Sequence, residues 1–137
     1  MLQRNPPDEA TRVTRLALVG VLFIFFGSMR LCGQMTEQRI CARQVAGDIK
    51  ATKEQSPAVF ATIRRYTFEW SHAYHACVMV IQYRVHDKDK PQQVQIFAIN
   101  VVTHEPMEGH KNVFLVPADD EKQIEDRTAF LMDKYAK

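Results

Sequence analysis

The sequence predicts an α+β domain in which two or three helices pack on one face of a three- to four-stranded antiparallel sheet. Apolar side chains recur with helical spacing over residues 36–55 and again near the C-terminus, whereas residues 65–103 alternate with a period of two. The length of 137 residues, with 46% hydrophobic and 25% charged side chains, is typical of one ordinary globular domain. We therefore expect a single domain at residues 34–137, preceded by an N-terminal signal or anchor helix at residues 1–33.

Residues 1–33 predict export or membrane attachment. Arg12 and Arg15 precede 14 uncharged residues, Leu16 to Met29. A membrane-spanning helix needs about 20 apolar residues, whereas the apolar part of a secretory signal has about 7 to 15. The segment therefore fits a signal peptide better than a spanning helix, and the two arginines would stay on the cytoplasmic side.

Other interpretations of this N-terminus stay open. Cleavage after Gly33 would remove it, lipidation of Cys32 would make a lipoprotein, and an uncleaved segment at residues 16–31 would anchor the chain in a membrane. A buried core helix is a fourth interpretation, but a helix without polar side chains would need protein on every side. All except the core helix place residues 34–137 outside the cytoplasm, either periplasmic or secreted.

The charge of the chain argues against a nucleic-acid partner. The formal net charge is +2, and residues 1–33 carry four arginines against two acidic side chains. The remaining residues carry equal numbers of basic and acidic side chains. A neutral body offers no electrostatic attraction to DNA, RNA or an anionic membrane surface.

The first helix of the domain is predicted over residues 36–55. Thr36 is a suitable N-cap. Apolar side chains recur at i, i+4 and i+8, from Cys41 through Val45 to Ile49. This spacing places Cys41 on the stripe that faces the sheet, within reach of a second cysteine there.

A short helix and four strands follow. Ser56-Pro57 predicts a helix that runs to about Arg64, because serine suits the N-cap and proline the first helical position. The strands are predicted at residues 65–72, 77–85, 93–103 and 112–117. The second strand is apolar on both faces at first, as in a central strand.

The C-terminal helix is predicted after Pro117. Asp119 is a suitable cap, and acidic side chains fill the first turn, where they complement the helix dipole. The apolar face of this helix is formed by Ile124, Leu131 and Tyr135.

The first strand offers a candidate binding face. Tyr66, Phe68 and Trp70 alternate with polar residues, and His72 would continue the same face. The aromatic side chains either form one side of the core or line a surface for a ligand or partner. The core is favoured, because this alternation is typical of a half-buried strand.

The three cysteines predict one disulfide. If Cys32 leaves with the signal or carries a lipid, then Cys41 and Cys77 remain as an even pair. In an oxidising compartment such a pair forms a bridge. Two buried free thiols are the alternative.

His72, His75 and Cys77 raise the question of a metal site or a Cys/His nucleophile. Strand residues three apart point to opposite faces, and no HExxH motif is present. A nucleophilic cysteine needs accessible, electropositive surroundings rather than the head of a buried strand. GxSxG, P-loop and dinucleotide motifs are also absent from the sequence. We therefore expect no catalytic residue, no cofactor and no metal site. The alternative is a hairpin turn that brings His72 and His75 together as metal ligands, with Cys77 as a third ligand.

Two short motifs resemble a known group of proteins. Residues 41–44 read C-A-R-Q at the start of a helix, and S-H at residues 71–72 precedes Cys77 at the head of an apolar strand. Over residues 41–83 this resembles small secreted bacterial proteins of unknown function, in which Tyr-Asn follows Ser-His and Asn-Lys precedes the cysteine. Here residues 73–76 are Ala-Tyr-His-Ala, and the spacing is shorter. The resemblance implies an extracytoplasmic domain with paired cysteines, and no particular activity.

Together these features predict a non-enzymatic, exported envelope domain, a binding or accessory module for a protein or small ligand. A small hydrolase or metal-binding protein that uses His72, His75 and Cys77 is one alternative. A single-pass accessory subunit of a membrane complex, attached to the membrane through residues 16–31, is another.

Overall fold

The structure, a computed structural model, describes residues 36–109 and 111–137. Its elements are helix α1 over residues 36–55, helix α2 Pro57–Thr62, strands β1 Ile63–Ser71, β2 Ala76–Val85, β3 Gln93–Asn100 and β4 Phe114–Pro117, and helix α3 Glu121–Tyr135. The α+β prediction is confirmed. The signal or anchor expected at residues 1–33 lies outside the described residues. Within the described ranges, no helix is both long enough and apolar enough to cross a membrane.

The four strands form one antiparallel sheet in the order β1-β2-β3-β4. Met79 of β2 lies between Phe68 of β1 and Ile99 of β3, and Val94 of β3 pairs with Val116 of β4. Residues that pair directly across an antiparallel sheet share a face. The strands β2 and β3 are therefore central, and β1 and β4 are the edges.

Helices cover both faces of the sheet, which corrects the expectation that they share one face. On one side lies the α1 cluster, which consists of Cys41, Val45, Cys77, Met79, Ile81, Ile99 and Val101. On the other side lies the α3 cluster, which consists of Val78, Val80, Val94, Ile96, Ala98, Met107, Val116, Ile124, Leu131 and Tyr135. The reason is in β2, because strand side chains alternate between faces and residues 77–82 are all buried. Such a strand needs cover on both sides.

Two strands end earlier than predicted. β1 ends at Ser71, and His72 lies in the hairpin turn instead of continuing the aromatic face. β3 ends at Asn100, whose side-chain oxygen accepts the N–H groups of Val102 and Thr103 at 2.9 and 3.2 Å. A side chain that binds the backbone two residues ahead favours a turn over a continued strand.

The cap of α3 is Asp120 rather than Asp119. The Asp120 carboxylate accepts the N–H of Gln123 at 3.0 Å, which satisfies one of the free donors at the start of the helix. The predicted apolar face of this helix is buried, at Ile124, Leu131 and Tyr135.

A disulfide joins Cys41 of α1 to Cys77 of β2, as predicted. Both side chains are fully buried in the α1 cluster. The bridge therefore fastens the first described helix to the start of a central strand. Disulfides persist in oxidising compartments, so the bridge is compatible with an extracytoplasmic location.

Candidate binding site

The structure separates the three residues of the predicted Cys/His neighbourhood. Cys77 is bonded to Cys41 and has no thiol in this state. His72 and His75 lie in the exposed turn between β1 and β2. Oε2 of Glu37 lies 3.7 Å from Nδ1 of His72. Among residues 36–109 and 111–137, no three His, Cys, Asp or Glu side chains are grouped to hold a metal ion.

The aromatic face of β1 is divided between core and surface. Phe68 and Trp70 pack against the α1 cluster, whereas Tyr66 is 39% exposed. The N–H of Trp70 donates to Oε1 of Gln38 on α1 at 3.0 Å, so α1 covers this part of the sheet edge. Tyr66 is thus the accessible member of the predicted face.

A pocket lies at the other end of the β1–β2 hairpin, away from the turn with the two histidines. It has a volume of about 340 Å³ and lies between the start of β1, the end of β2 and the start of β3. Its polar lining side chains are Arg64, Arg84, His86, Gln92 and Gln93. None of the residues that line it carries a carboxylate, a hydroxyl or a thiol.

The backbone of β1 places Arg64 at this pocket. Ile63 pairs with Tyr83, and Arg65 pairs with Gln82, so two steps on β1 match one step on β2. This irregularity is a β-bulge, which changes the direction of a side chain relative to a regular strand. Arg84 enters the pocket from β2 in ordinary register.

Arg84 lies on the α3 side of the sheet. It pairs directly with Val94, whose side chain belongs to the α3 cluster, and directly paired residues share a face. Val94 also lines the pocket, together with Ala118 from the segment before α3. The two arginines therefore lie beside apolar side chains rather than in open solvent alone.

The electrostatics of the pocket are cationic. Arg64 donates through Nη2 to Oε2 of Glu121 in the first turn of α3. Its other terminal nitrogen, Nη1, is shielded from solvent and has no hydrogen-bond partner among the described residues. Within the same ranges, Arg84 makes no ion pair. A second cavity of about 330 Å³ adjoins the pocket and has Asp119 in its lining.

A separate polar cluster fastens the β3–β4 loop to α3. Oε2 of Glu108 accepts hydrogen bonds from Nζ of Lys134 at 2.9 Å and from the hydroxyl of Tyr135 at 2.8 Å, and Asn112 donates to that hydroxyl. The bonds from Lys134 and Tyr135 lower the pKa of Glu108. The hydrogen bond to Glu108 raises the pKa of Lys134. The pKa of Tyr135 is also raised, mainly by burial and secondly by its hydrogen bond to Glu108. The hydrogen bonds of Glu108 thus contribute to all three shifts, and the same bonds hold the loop in place.

The sequence contains a weak signal for the pocket. Arg84 is the only charged residue of β2, and Arg64 and Arg65 stand together at the start of β1. The polar segment at residues 86–92, taken by itself, predicts only a turn. Only the register of the sheet brings these residues together.

No family model, curated protein or solved structure matches the chain.

Proposed function

We propose that residues 34–137 form an exported, non-enzymatic binding domain of the cell envelope, which residues 1–33 direct to the membrane. The observation that carries the proposal is the fully buried bridge between Cys41 and Cys77. Buried bridges of this kind are typical of domains that fold in oxidising compartments. The Arg-flanked apolar segment before the domain and the resemblance to small secreted bacterial proteins support the same location.

Binding, rather than catalysis, is supported by the groups that the domain exposes. The pocket is lined by two arginines, a histidine, amide and apolar side chains, which can hold a ligand, and its lining has no hydroxyl, thiol or carboxylate. Tyr66, at 39% exposure, provides an accessible aromatic surface on an edge strand. Aromatic side chains and arginines are the residues most used in binding surfaces.

The test is the intact mass of the protein, expressed with its own N-terminus in an exporting bacterial host and alkylated before or after reduction. A chain shortened by about 33 residues, with no alkylated thiol until reduction, supports a soluble exported domain. A full-length chain in the membrane fraction, with Cys41 and Cys77 protected until reduction, supports export with a retained anchor.

Matched variants make the thiol assay specific. Both cysteines are fully buried, so the alkylation is carried out in denaturant. There Cys41→Ala should leave Cys77 open to alkylation without reduction, and Cys77→Ala should do the same for Cys41, because each substitution removes the other's partner. A full-length chain in the soluble cytoplasm, with both thiols alkylated before reduction, would overturn the proposal.

A further inference from the structure

We infer that the pocket between Arg64, Arg84 and His86 binds a small molecule through a compact oxyanion, a carboxylate or a phosphate group. The inference rests on the proposed binding function and names the ligand class for it. Three observations carry it: the size of the pocket, its two guanidinium groups and the lack of an ion-pair partner for Arg84 among the described residues.

The pocket has the size and the mixed lining of a small-molecule site. Its volume of about 340 Å³ lies in the range of ligand pockets, roughly 300 to 1,000 Å³. Val94 and Ala118 supply apolar wall, while Gln92 and Gln93 add amide donors and acceptors. Such a wall can hold the body of a ligand while charged groups fix its orientation.

The two arginines supply the charge and the geometry for an oxyanion. A guanidinium presents its donors in a planar fork that matches the oxygens of carboxylate and phosphate. Glu121 already binds Nη2 of Arg64, so that this side chain is held by its own carboxylate contact. Binding therefore needs little further ordering of Arg64.

Arg84 is the arginine of the pocket that has no ion-pair partner. Its side chain is exposed, and it makes no ion pair among the described residues. An oxyanion in the pocket would neutralise this charge through a charge-assisted contact.

The surrounding charges favour a small anion over a polyanion. Asp119 lines the adjoining cavity, and Glu121 lies beside Arg64. An extended polyanion would bring further negative charge against these carboxylates, which is repulsive. A single oxyanion group brings less negative charge near them.

The experiment is a ¹H–¹⁵N NMR titration of the oxidised, exported protein with sodium phosphate and, separately, with sodium acetate. Sodium chloride at equal ionic strength is the reference for salt screening. The expected result is a saturable shift of the backbone amides of Gln93, Val94 and Ala118 with at least one of the two oxyanions. Phosphate and acetate together identify which oxyanion the pocket prefers.

Three variants connect the shifts to the pocket. Arg84→Ala should weaken binding at least about tenfold, because a charge-assisted contact is lost. Arg65→Ala removes an exposed neighbouring arginine that does not line the pocket, and should change the affinity by less than about twofold. Glu121→Gln should strengthen binding, because the amide oxygen can still accept from Nη2 of Arg64 while the negative charge beside the oxyanion is removed. Spectra of the free variants, superimposable away from the substitution, show that each one is folded.

Several outcomes would overturn the inference. These are shifts that chloride reproduces, shifts that do not saturate with either oxyanion, or equal weakening by Arg84→Ala and Arg65→Ala. Each of them, in a protein that is exported and bridged, rejects the pocket and leaves the proposed location intact. A protein that stays in the cytoplasm with free thiols rejects the proposed function instead.

Discussion

Removing the disulfide should cost this domain a large part of its stability. The bridge closes a loop of 36 residues between Cys41 and Cys77. In the chain-entropy description, a closed loop of that length lowers the entropy of the unfolded chain enough to stabilise the folded domain by about 4 kcal/mol. Domains of this size have a total stability of about 5 to 15 kcal/mol. The double variant Cys41→Ala/Cys77→Ala should therefore remain folded only marginally, or unfold in part at 37 °C.

Equilibrium unfolding in urea measures this loss. Trp70 is the single tryptophan of the chain and lies directly opposite Cys77 in the sheet, so its fluorescence reports on the bridged region. Far-UV circular dichroism gives a second probe of the same transition. The double variant should lose about 4 kcal/mol relative to the oxidised protein, and its unfolding should no longer depend on reductant.

Two comparisons separate the bridge from other effects of the substitutions. Cys32→Ala should leave the unfolding curve unchanged, because Cys41 and Cys77 pair with each other. The unsubstituted protein under reductant should approach the double variant. A loss below about 1 kcal/mol would refute the chain-entropy reasoning, since the unfolded chain would then be constrained without the bridge.

Three further predictions concern α3 and the groups that contact it. Leu131→Ala should cost about 3 kcal/mol of stability, because the side chain is fully buried. Phe130→Ala, at a position that is 47% exposed, should cost about 1 kcal/mol or less. Equal losses in urea unfolding would contradict the assigned helix face. Gln82 is buried and donates to Oγ1 of Thr128 at 2.9 Å. Thr128→Val alone should therefore cost about 1 to 2 kcal/mol of stability, and the double variant with Gln82→Leu should recover most of that loss. Additive losses in a double-mutant cycle would disprove the coupling. Glu108→Gln should destabilise the protein at neutral pH, because a carboxylate with a depressed folded pKa stabilises the fold only while it is ionised. The difference in stability should be lost as the pH falls below about 4.5 and through the lowered pKa of Glu108. A difference that persists at about pH 3 in a series of urea unfolding curves would exclude this cause.

The sequence predicted those features of the domain that depend on local spacing. The stripe at Cys41, Val45 and Ile49 has the i, i+4, i+8 spacing typical of one helix face, and α1 contains it. The alternation of Phe68 and Trp70 with polar residues likewise gave the face of β1 that packs inward. In both cases one periodic signal determines secondary structure and burial together.

The arrangement of helices over the sheet needed a second step that local spacing does not supply. The apolar run in β2 was visible, and burial on both faces follows from it. The helices nevertheless were expected on one face, because each helical stripe shows that a helix is covered and not which side of the sheet covers it. The β3–β4 loop shows a similar limit of local spacing. Glu108 has a φ of 51°, a conformation that a non-glycine residue rarely adopts, and here contacts from Lys134 and Tyr135 of α3 hold it.

The candidate pocket was beyond sequence reasoning for a related reason. Arg64 and Arg84 are 20 positions apart in the chain, and neither stands in a motif. Their proximity depends on the antiparallel register and on the bulge between Ile63 and Arg65. A bulge is one extra residue in a pairing, and no periodic pattern in a single strand reveals it.

The geometry of β2 separates the bridge from the pocket and gives each a distinct role. Cys77 stands at the start of β2 and Arg84 at its end, seven positions apart. At about 3.3 Å per residue, roughly 23 Å of extended strand lie between them. Over that distance the disulfide acts on the pocket only through the stability of the strand that carries both. Breaking the bridge should therefore lower the stability of the domain by several kcal/mol while leaving the arrangement of the arginines in the folded fraction unchanged.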